Sequence, residues 1–297
     1  MKPPPFSYHD PRSLEEALKL LASLDDAKLL AGGQSFMPML SMRFIMPEHV
    51  IDLNRISGLS EIRENGGGIE IGAMVRQSEL EFSDLIRSRC PLMKEALRLV
   101  GHRPTRNRGT IGGSLCHLDP AAELPVVAAA LDASIRVRSE RGERRVAMSE
   151  FPAFYMTPAI EADEIVTGVE FEPWPVGHGY AFVEFARRHG DFAIVAVAVL
   201  MALAGDGTVS RVSITLGGVG SGPLRCSDAE SVVSGSRGGA QIFQKAAETC
   251  RHIEAMEDVH ASSAYRRHLA ETLTGRALES AFGRAVNGSS AGKGAPS

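Results

Sequence analysis

Two glycine-rich segments hold the residue types best suited to chemistry. The first, Ala31-Gly32-Gly33-Gln34-Ser35, ends a short apolar run that begins at Lys28. Paired glycines let the backbone turn so that successive N–H groups converge on one point and bind an anion, most often a phosphate. A helix-compatible stretch from Phe36 to about Phe44 would add the positive end of its dipole, and Ser35 could donate a hydroxyl. The same residues also suit a purely structural turn, because glycine pairs commonly punctuate chains.

The second segment is Gly109-Thr110-Ile111-Gly112-Gly113-Ser114, and Asp119 and Glu123 follow it closely. Thr110, Gly112, Gly113 and Ser114 offer hydroxyls and unencumbered amides. Asp119 and Glu123 bracket the start of an apolar helix expected over 121–131, where carboxylates suit the macrodipole. Asp119 could simply cap that helix; Glu123 has less structural reason to be there. Together, two glycine turns from separate parts of the chain could grip a diphosphate from both sides. Neither carries the lysine of a nucleoside-triphosphatase loop, and neither fits GxGxxG. What remains is a dinucleotide held by backbone amides outside a Rossmann crossover.

The elements that must position these turns can be read from periodicity. Ser13 caps a helix with apolar residues at Leu14, Ala17, Leu18 and Leu21, and a strand is expected at His49 to Leu53. With the strand Lys28–Ala31, these make a βαβ-like unit. A hairpin around Asn65 to Gly68, helices over 77–83 and 92–100, a hairpin at Arg141-Gly142 and a strand at 165–171 follow. Pro173-Trp174-Pro175 breaks both periodicities and marks a domain boundary. Beyond it, three antiparallel strands (180–186, 193–204, 209–217) precede helices over 239–256 and 263–282. The reading is an α+β chain with a first domain at 1–175. A smaller α+β domain follows at 176–284, and 285–297 are expected to be a disordered tail, rich in Gly, Ser, Ala and Lys from Asn287 onward.

Composition narrows the function. The 297 residues carry a net charge of -4, with aromatics at 6%, which gives no platform for nucleic acid. The longest apolar stretch, Phe192 to Ala204, is too short to span a bilayer, and the N-terminus lacks a secretory segment, so a cytoplasmic protein is expected. Cys90, Cys116, Cys226 and Cys250 are scattered without a CxxC pair, so no iron–sulfur cluster or metal is expected on this chain. His117 and His189 lack partners at metal-ligand spacing. His102, Arg103, Arg106 and Arg108 form a basic cluster that suits either a solvated face or a surface for a partner or a diphosphate.

These motifs resemble a known family. AGGQS at Ala31, IDLNRI at Ile51, IGAMV at Ile71 and TIGGSLCHLDPAAELP at Thr110 are similar to segments in the flavin subunits of xanthine dehydrogenase and carbon monoxide dehydrogenase. The likeness continues through Asp163–Val166, Arg187–Ala193 and Asp258–Leu269, and covers nearly the whole chain to Phe282. It implies a two-lobed FAD-binding domain of the vanillyl-alcohol-oxidase type and a C-terminal α+β domain. It also implies FAD on this chain, a large partner holding molybdopterin, and a small partner with [2Fe–2S] clusters, assembled as a dimer of heterotrimers. Position by position, Ala31 to Ser35 and Thr110 to Ser114 resemble the diphosphate loops, and Glu123 an acidic residue near the cofactor. Ile165 and Val166 resemble a backbone segment bordering flavin and adenine, and Phe192 a residue against the isoalloxazine. The carbon monoxide enzyme has a lysine eight residues before that last position, where this chain has Glu184.

The implied function is electron transfer from the iron–sulfur partner to a terminal acceptor, with the substrate oxidised on another polypeptide and no catalytic acid–base pair here. The candidate substrates are an N-heterocycle, a purine, an aldehyde or carbon monoxide, with an N-heterocycle preferred. A free-standing flavin oxidase that binds substrate itself is the competing reading, and a scaffold with a decayed nucleotide site a third.

Overall fold

Residues 2–292 are described in a computed structural model. The N-terminal lobe contains β1 (Ser7–His9), α1 (Leu14–Ser23), β2 (Ala27–Leu30), α2 (Phe36–Ser41) and β3 (His49–Asp52). Its sheet is parallel, in the order β1-β3-β2. Ser13 caps α1 as the sequence predicts: its hydroxyl accepts from the Glu16 N–H at 3.1 Å, and Glu16 accepts from the Arg12 N–H at 2.8 Å. Ala17, Leu18 and Leu21 then face the sheet, buried. Helix α2 stops three residues short of the predicted Phe44, because Arg43 takes a left-handed conformation (φ 57°) that cannot continue it.

The second lobe opens with the hairpin β4 (Ile62–Asn65) and β5 (Gly68–Gly72), then the short helices α3 (Gln77–Phe82), α4 (Asp84–Arg89), α5 (Pro91–Leu97) and α6 (Arg103–Arg108). Helices α7 (Ile111–His117) and α8 (Glu123–Ala130) come next. The strands β6 (Ser134–Ser139), β7 (Gly142–Ala147), β8 (Pro152–Phe154), β9 (Thr157–Pro158) and β10 (Ile165–Phe171) complete it. Strands β4 to β7 and β10 form a five-stranded antiparallel sheet, ordered β4-β5-β10-β6-β7, and β8 and β9 a separate hairpin. Helix α8 is apolar nearly all round (ELPVVAAA), and seven of its eight residues are buried. A helix with no polar face must lie between layers. It lies between α5 and the C-terminal sheet.

That sheet is β11 (Gly179–Phe185), β12 (Val195–Leu203), β13 (Val209–Gly217) and β14 (Leu224–Arg225), antiparallel in sequence order. Helices α9 (Ser227–Val233), α10 (Ala240–Thr249) and α11 (Ser263–Gly292) cover its outer face. Strand β12 explains the longest apolar run. Its even residues Ala196, Ala198, Leu200 and Ala202 join the core shared with α8, while Val195, Val197, Val199 and Met201 join the core under α11. A strand buried on both faces reads as continuous apolar sequence, each Val or Leu contributing about 1.5–3 kcal/mol. Arg266 of α11 is buried; it donates to the Ile194 and Gly218 carbonyls and pairs with Asp258 at 2.7 Å.

The tail expected at 285–297 is corrected in part. Ala285 is fully buried, which carries the helix past the predicted end, and α11 continues to Gly292. Residues 293–297 lie outside the described residues. No helix among the described residues is long and apolar enough to cross a membrane.

Candidate functional site

A cavity of about 740 Å³ runs between the two N-terminal lobes and reaches the loop between β11 and β12. That volume falls within the roughly 300–1,000 Å³ typical of small-molecule sites. Ala31, Gly32, Gly33, Gln34 and Ser35 all line it. Gly33 sits at φ 73°, a backbone state that costs a residue with a Cβ. The turn it allows leaves the N–H groups of Gly32, Gly33, Gln34 and Ser35 without a protein acceptor. A partly buried row of free amides is an anion cradle. The Ser35 hydroxyl is also unspent, because it makes no cap bond to α2.

The second segment departs from expectation. Thr110 to Ser114 do not form an open turn; Thr110 is the N-cap of α7, and its hydroxyl accepts from the Gly113 N–H at 3.1 Å. The amides of Ile111, Gly112 and Ser114 are taken by the carbonyls of Val75, Ala73 and Thr110. These amides are therefore not unencumbered. Thr110, Gly112, Gly113 and Ser114 line the cavity, and a Cβ on Gly112 would meet Ala73 at 2.6 Å, so that glycine lets α7 close on the turn after β5. Ile111 is a further correction: it points into the core at 2% exposure and does not line the cavity.

The two segments touch. A Cβ on Gly32 would lie 2.3 Å from the Arg108 carbonyl oxygen and 2.8 Å from the Gly109 Cα. Asn54 and Arg76, which the sequence did not single out, staple them. The Asn54 amide donates to the Ala31 carbonyl at 2.9 Å and accepts from Arg76, while Arg76 also donates to the Arg108 carbonyl. The staple fixes the separation of the two segments without spending the free amides.

The remaining walls come from the α7–α8 connection, from the β8–β9 hairpin with the loop after it, and from β10. Asp119 lines the cavity and accepts from the Ala121 N–H at 2.9 Å; it shapes the turn before α8, whose N-cap is Ala122. Ile165 and Val166 line it where the β10–β6 register slips, between Val166 and Gly168. Such bulges re-aim a strand beside a site. Phe192 borders the cavity at 64% exposure, too open for the core residue that its apolar surroundings allow. Met156, Thr157 and Pro158 were missed by the sequence reading, because a turn residue and a two-residue strand carry no period.

The basic cluster divides. Arg106 pairs with Glu81 at 2.8 Å, both side chains nearly buried, and donates to the Val100 carbonyl at 3.0 Å. It is a structural ion pair, unavailable to a ligand. His102 instead packs edge-on to His189, with centroids 6.4 Å apart. Cys116 lines the cavity with its thiol pushed up to about 12 by burial, which makes it unreactive. Among the described residues, no three His, Cys, Asp or Glu side chains gather as a metal site.

Glu123 dominates the electrostatics of the wall. It is 5% exposed, and burial first, then the charge of Glu184, raises its carboxyl to about 8. Burial raises Glu184 to about 7. A carboxyl whose folded value lies above its ordinary 4.5 binds extra proton in the native state. Its contribution is therefore intact below 4.5 and is lost as pH rises toward about 8. Glu123→Gln should match wild type near pH 5 in urea unfolding of flavin-free protein, and exceed it near pH 8.5 by a few kcal/mol, at about 1.4 kcal/mol per pH unit. A stability difference independent of pH would contradict this origin.

Comparison with known proteins agrees with this architecture. Residues 4–174 match the FAD binding domain in molybdopterin dehydrogenase, and residues 180–281 the CO dehydrogenase flavoprotein C-terminal domain. The chain is 41% identical to the 6-hydroxypseudooxynicotine dehydrogenase complex subunit alpha of Paenarthrobacter nicotinovorans, over 96% of this chain and 97% of that one. It is 38% identical to the nicotine 6-hydroxylase medium subunit of the same organism, over 96% and 100%. A solved structure of carbon monoxide dehydrogenase from Hydrogenophaga pseudoflava matches with a TM-score of 0.93 and 38% identity, over 96% of this chain and 99% of that one. Matched in order from end to end, the chain belongs to the FAD-binding medium subunits of the carbon monoxide dehydrogenase and xanthine dehydrogenase family, the oxidoreductase flavoproteins of molybdenum hydroxylases.

Proposed function

We propose that this subunit takes electrons from the [2Fe–2S] clusters of a small partner and passes them to a terminal acceptor, while a large molybdopterin partner oxidises the substrate. The observation that carries this reading is the row of four free amides, Gly32 to Ser35, at one side of a cavity lined by both lobes. They would hold the diphosphate of FAD, with Ser35, Thr110 and Ser114 adding hydroxyls. Gly112 and Gly113 would let the cofactor pass close to α7, and Ile165 and Val166 would border its rings. Phe192 would lie against the isoalloxazine, and Asp119 and Glu123 would close the wall. Bound FAD supplies a store for two electrons.

On this reading residues 1–175 are the FAD-binding domain, with lobes of about 1–55 and 56–175, and residues 176–284 the C-terminal domain. The assembly is a cytoplasmic dimer of heterotrimers. The names of the two nicotine-pathway relatives support an N-heterocycle as the substrate of the molybdenum partner. Co-purification from the native source, with metal analysis, tests the assignment. The complex should contain Mo and Fe and oxidise an N-heterocycle, while the isolated chain binds FAD and oxidises nothing. Flavin bleaching by substrate on the isolated chain would favour a free-standing oxidase instead.

A further inference from the structure

Glu123 and Glu184 lie far apart in sequence, on different domains, yet the fold brings them together. In the C-terminal sheet Glu184 of β11 pairs with Ala196 of β12, which pairs with Gly217 of β13. Directly paired antiparallel residues point to the same face, so these three form one row across the sheet. A Cβ on Gly217 would meet Val126 of α8 at 2.5 Å and Ala196 at 3.6 Å, so this is the face that α8 covers. Glu123 lies one turn before Val126 on the same side of the helix, at the end of α8 that opens on the cavity. The first residue of α8 thus stands on the covered face near this row, within reach of the Glu184 charge.

Among the described residues, neither carboxyl has an ion-pair partner. Glu123 makes no side-chain hydrogen bond beyond its own backbone N–H, and Glu184 has a fully buried Oε2 without a partner. Two arginines that reach this sheet are committed elsewhere. Arg284 binds Glu95 and the Tyr180 carbonyl on β11, and Arg266 binds Asp258. From the α7 side the wall adds His117, held neutral mainly by burial, and Asp119; the β11–β12 loop adds Asp191. Glu161 and Glu164 face the cavity from before β10, with Glu164 bound to Arg144. The basic groups on the packed elements, Lys94 of α5 with Arg98 just after it and Arg187, Arg188 and His189 of the β11–β12 loop, form no ion pair with either carboxyl, so two like charges there disfavour each other.

We propose that Glu123, on the wall of this cavity, and the neighbouring Glu184 jointly hold one proton, so that binding the doubly charged diphosphate of FAD draws a proton onto the pair. This rests on the cavity being the FAD site. The physical reason is that FAD excludes water from Glu123 and brings two negative charges to the same enclosure, both of which favour the protonated pair. Carboxyls that titrate near neutral pH in the free protein then titrate higher in the complex. FAD affinity is flat in acid and falls with alkali, by at most about tenfold per pH unit for one linked proton.

Isothermal titration of FAD into flavin-free full-length protein tests this, using buffers of different ionisation enthalpy. Near pH 8 wild type should take up of order half a proton per FAD, and Glu184→Gln should take up less. Glu123→Gln/Glu184→Gln should take up none per FAD bound, whatever its affinity. Circular dichroism and thermal melts establish that each isosteric variant is folded, and the wild-type measurement needs no variant. FAD binding without proton uptake overturns the pair and leaves the FAD site standing, as does full uptake in the double variant, which assigns the proton to another group such as His117. If no FAD binds, both readings fall.

Discussion

Gly32→Ala should cost this protein its flavin. The added methyl would sit 2.3 Å from the Arg108 carbonyl oxygen and 2.8 Å from the Gly109 Cα. Both are backbone atoms, and the Asn54–Arg76 staple prevents the two segments from separating freely. Overpacking of this kind costs about 1–3 kcal/mol, which corresponds to a 5- to 150-fold loss of FAD affinity where the strain falls on the binding loops. The flavin-to-protein absorbance ratio after gel filtration reads the loss directly. Gly205→Ala serves as control, because a Cβ there meets nothing within 4 Å, and it should stay within about 0.5 kcal/mol of wild type. Full flavin occupancy in Gly32→Ala would mean that the close approach of the two segments does not shape the site.

The first glycine segment was legible because its signal is local. Two glycines after a strand and before a helix determine the backbone path, and Gly33 at positive φ is the conformation that the residue type predicts. The second segment misled for a physical reason. Gly112 and Gly113 have poor helix propensity, so their pairing reads as a turn. The carbonyls of Ala73 and Val75, contributed from a distant hairpin, accept the first amides of α7 and make a helix start there instead. The same tertiary contacts turned Ile111 into the core. Local propensity lost to packing that no window of sequence contains.

What the sequence could not show is non-local by nature. The surroundings of Glu184 depend on a row across three strands and on α8 covering that face, which no stretch of sequence contains. Arg106 looked like one member of a surface charge cluster until Glu81, from another helix, proved to be its buried partner. The Asn54–Arg76 staple joins residues whose types are ordinary on any surface. The alternation in β12, by contrast, was hidden by success: both faces are apolar because both are buried, so the period vanished while the strand remained predictable from its length.

A variant that loses flavin within the assembled complex should separate the two halves of the proposed reaction. Gly33→Val suits the purpose. A β-branched side chain at φ 73° is strained whatever the space, and its Cβ would lie 3.2 Å from the Met37 Cγ and 3.3 Å from the Leu30 Cδ1. The strain falls on the turn that aims the amides of Gly32 to Ser35, while the surrounding sheets are untouched. Substrate added to the complex in a single turnover should still bleach the iron–sulfur absorbance at a rate within about twofold of wild type. Steady-state transfer to the terminal acceptor should fall roughly 100-fold or more, tracking the residual flavin content. The split follows from where the chemistry sits on this reading. Electrons are generated on the molybdenum partner and reach the clusters before this chain is involved, so removing its flavin blocks only the exit. Rapid-mixing absorbance separates the two steps, and gel filtration establishes that the variant complex is assembled. If iron–sulfur reduction slowed in proportion to turnover, this chain would be contributing to the substrate site, and its assignment as the electron-exit subunit would have to be abandoned.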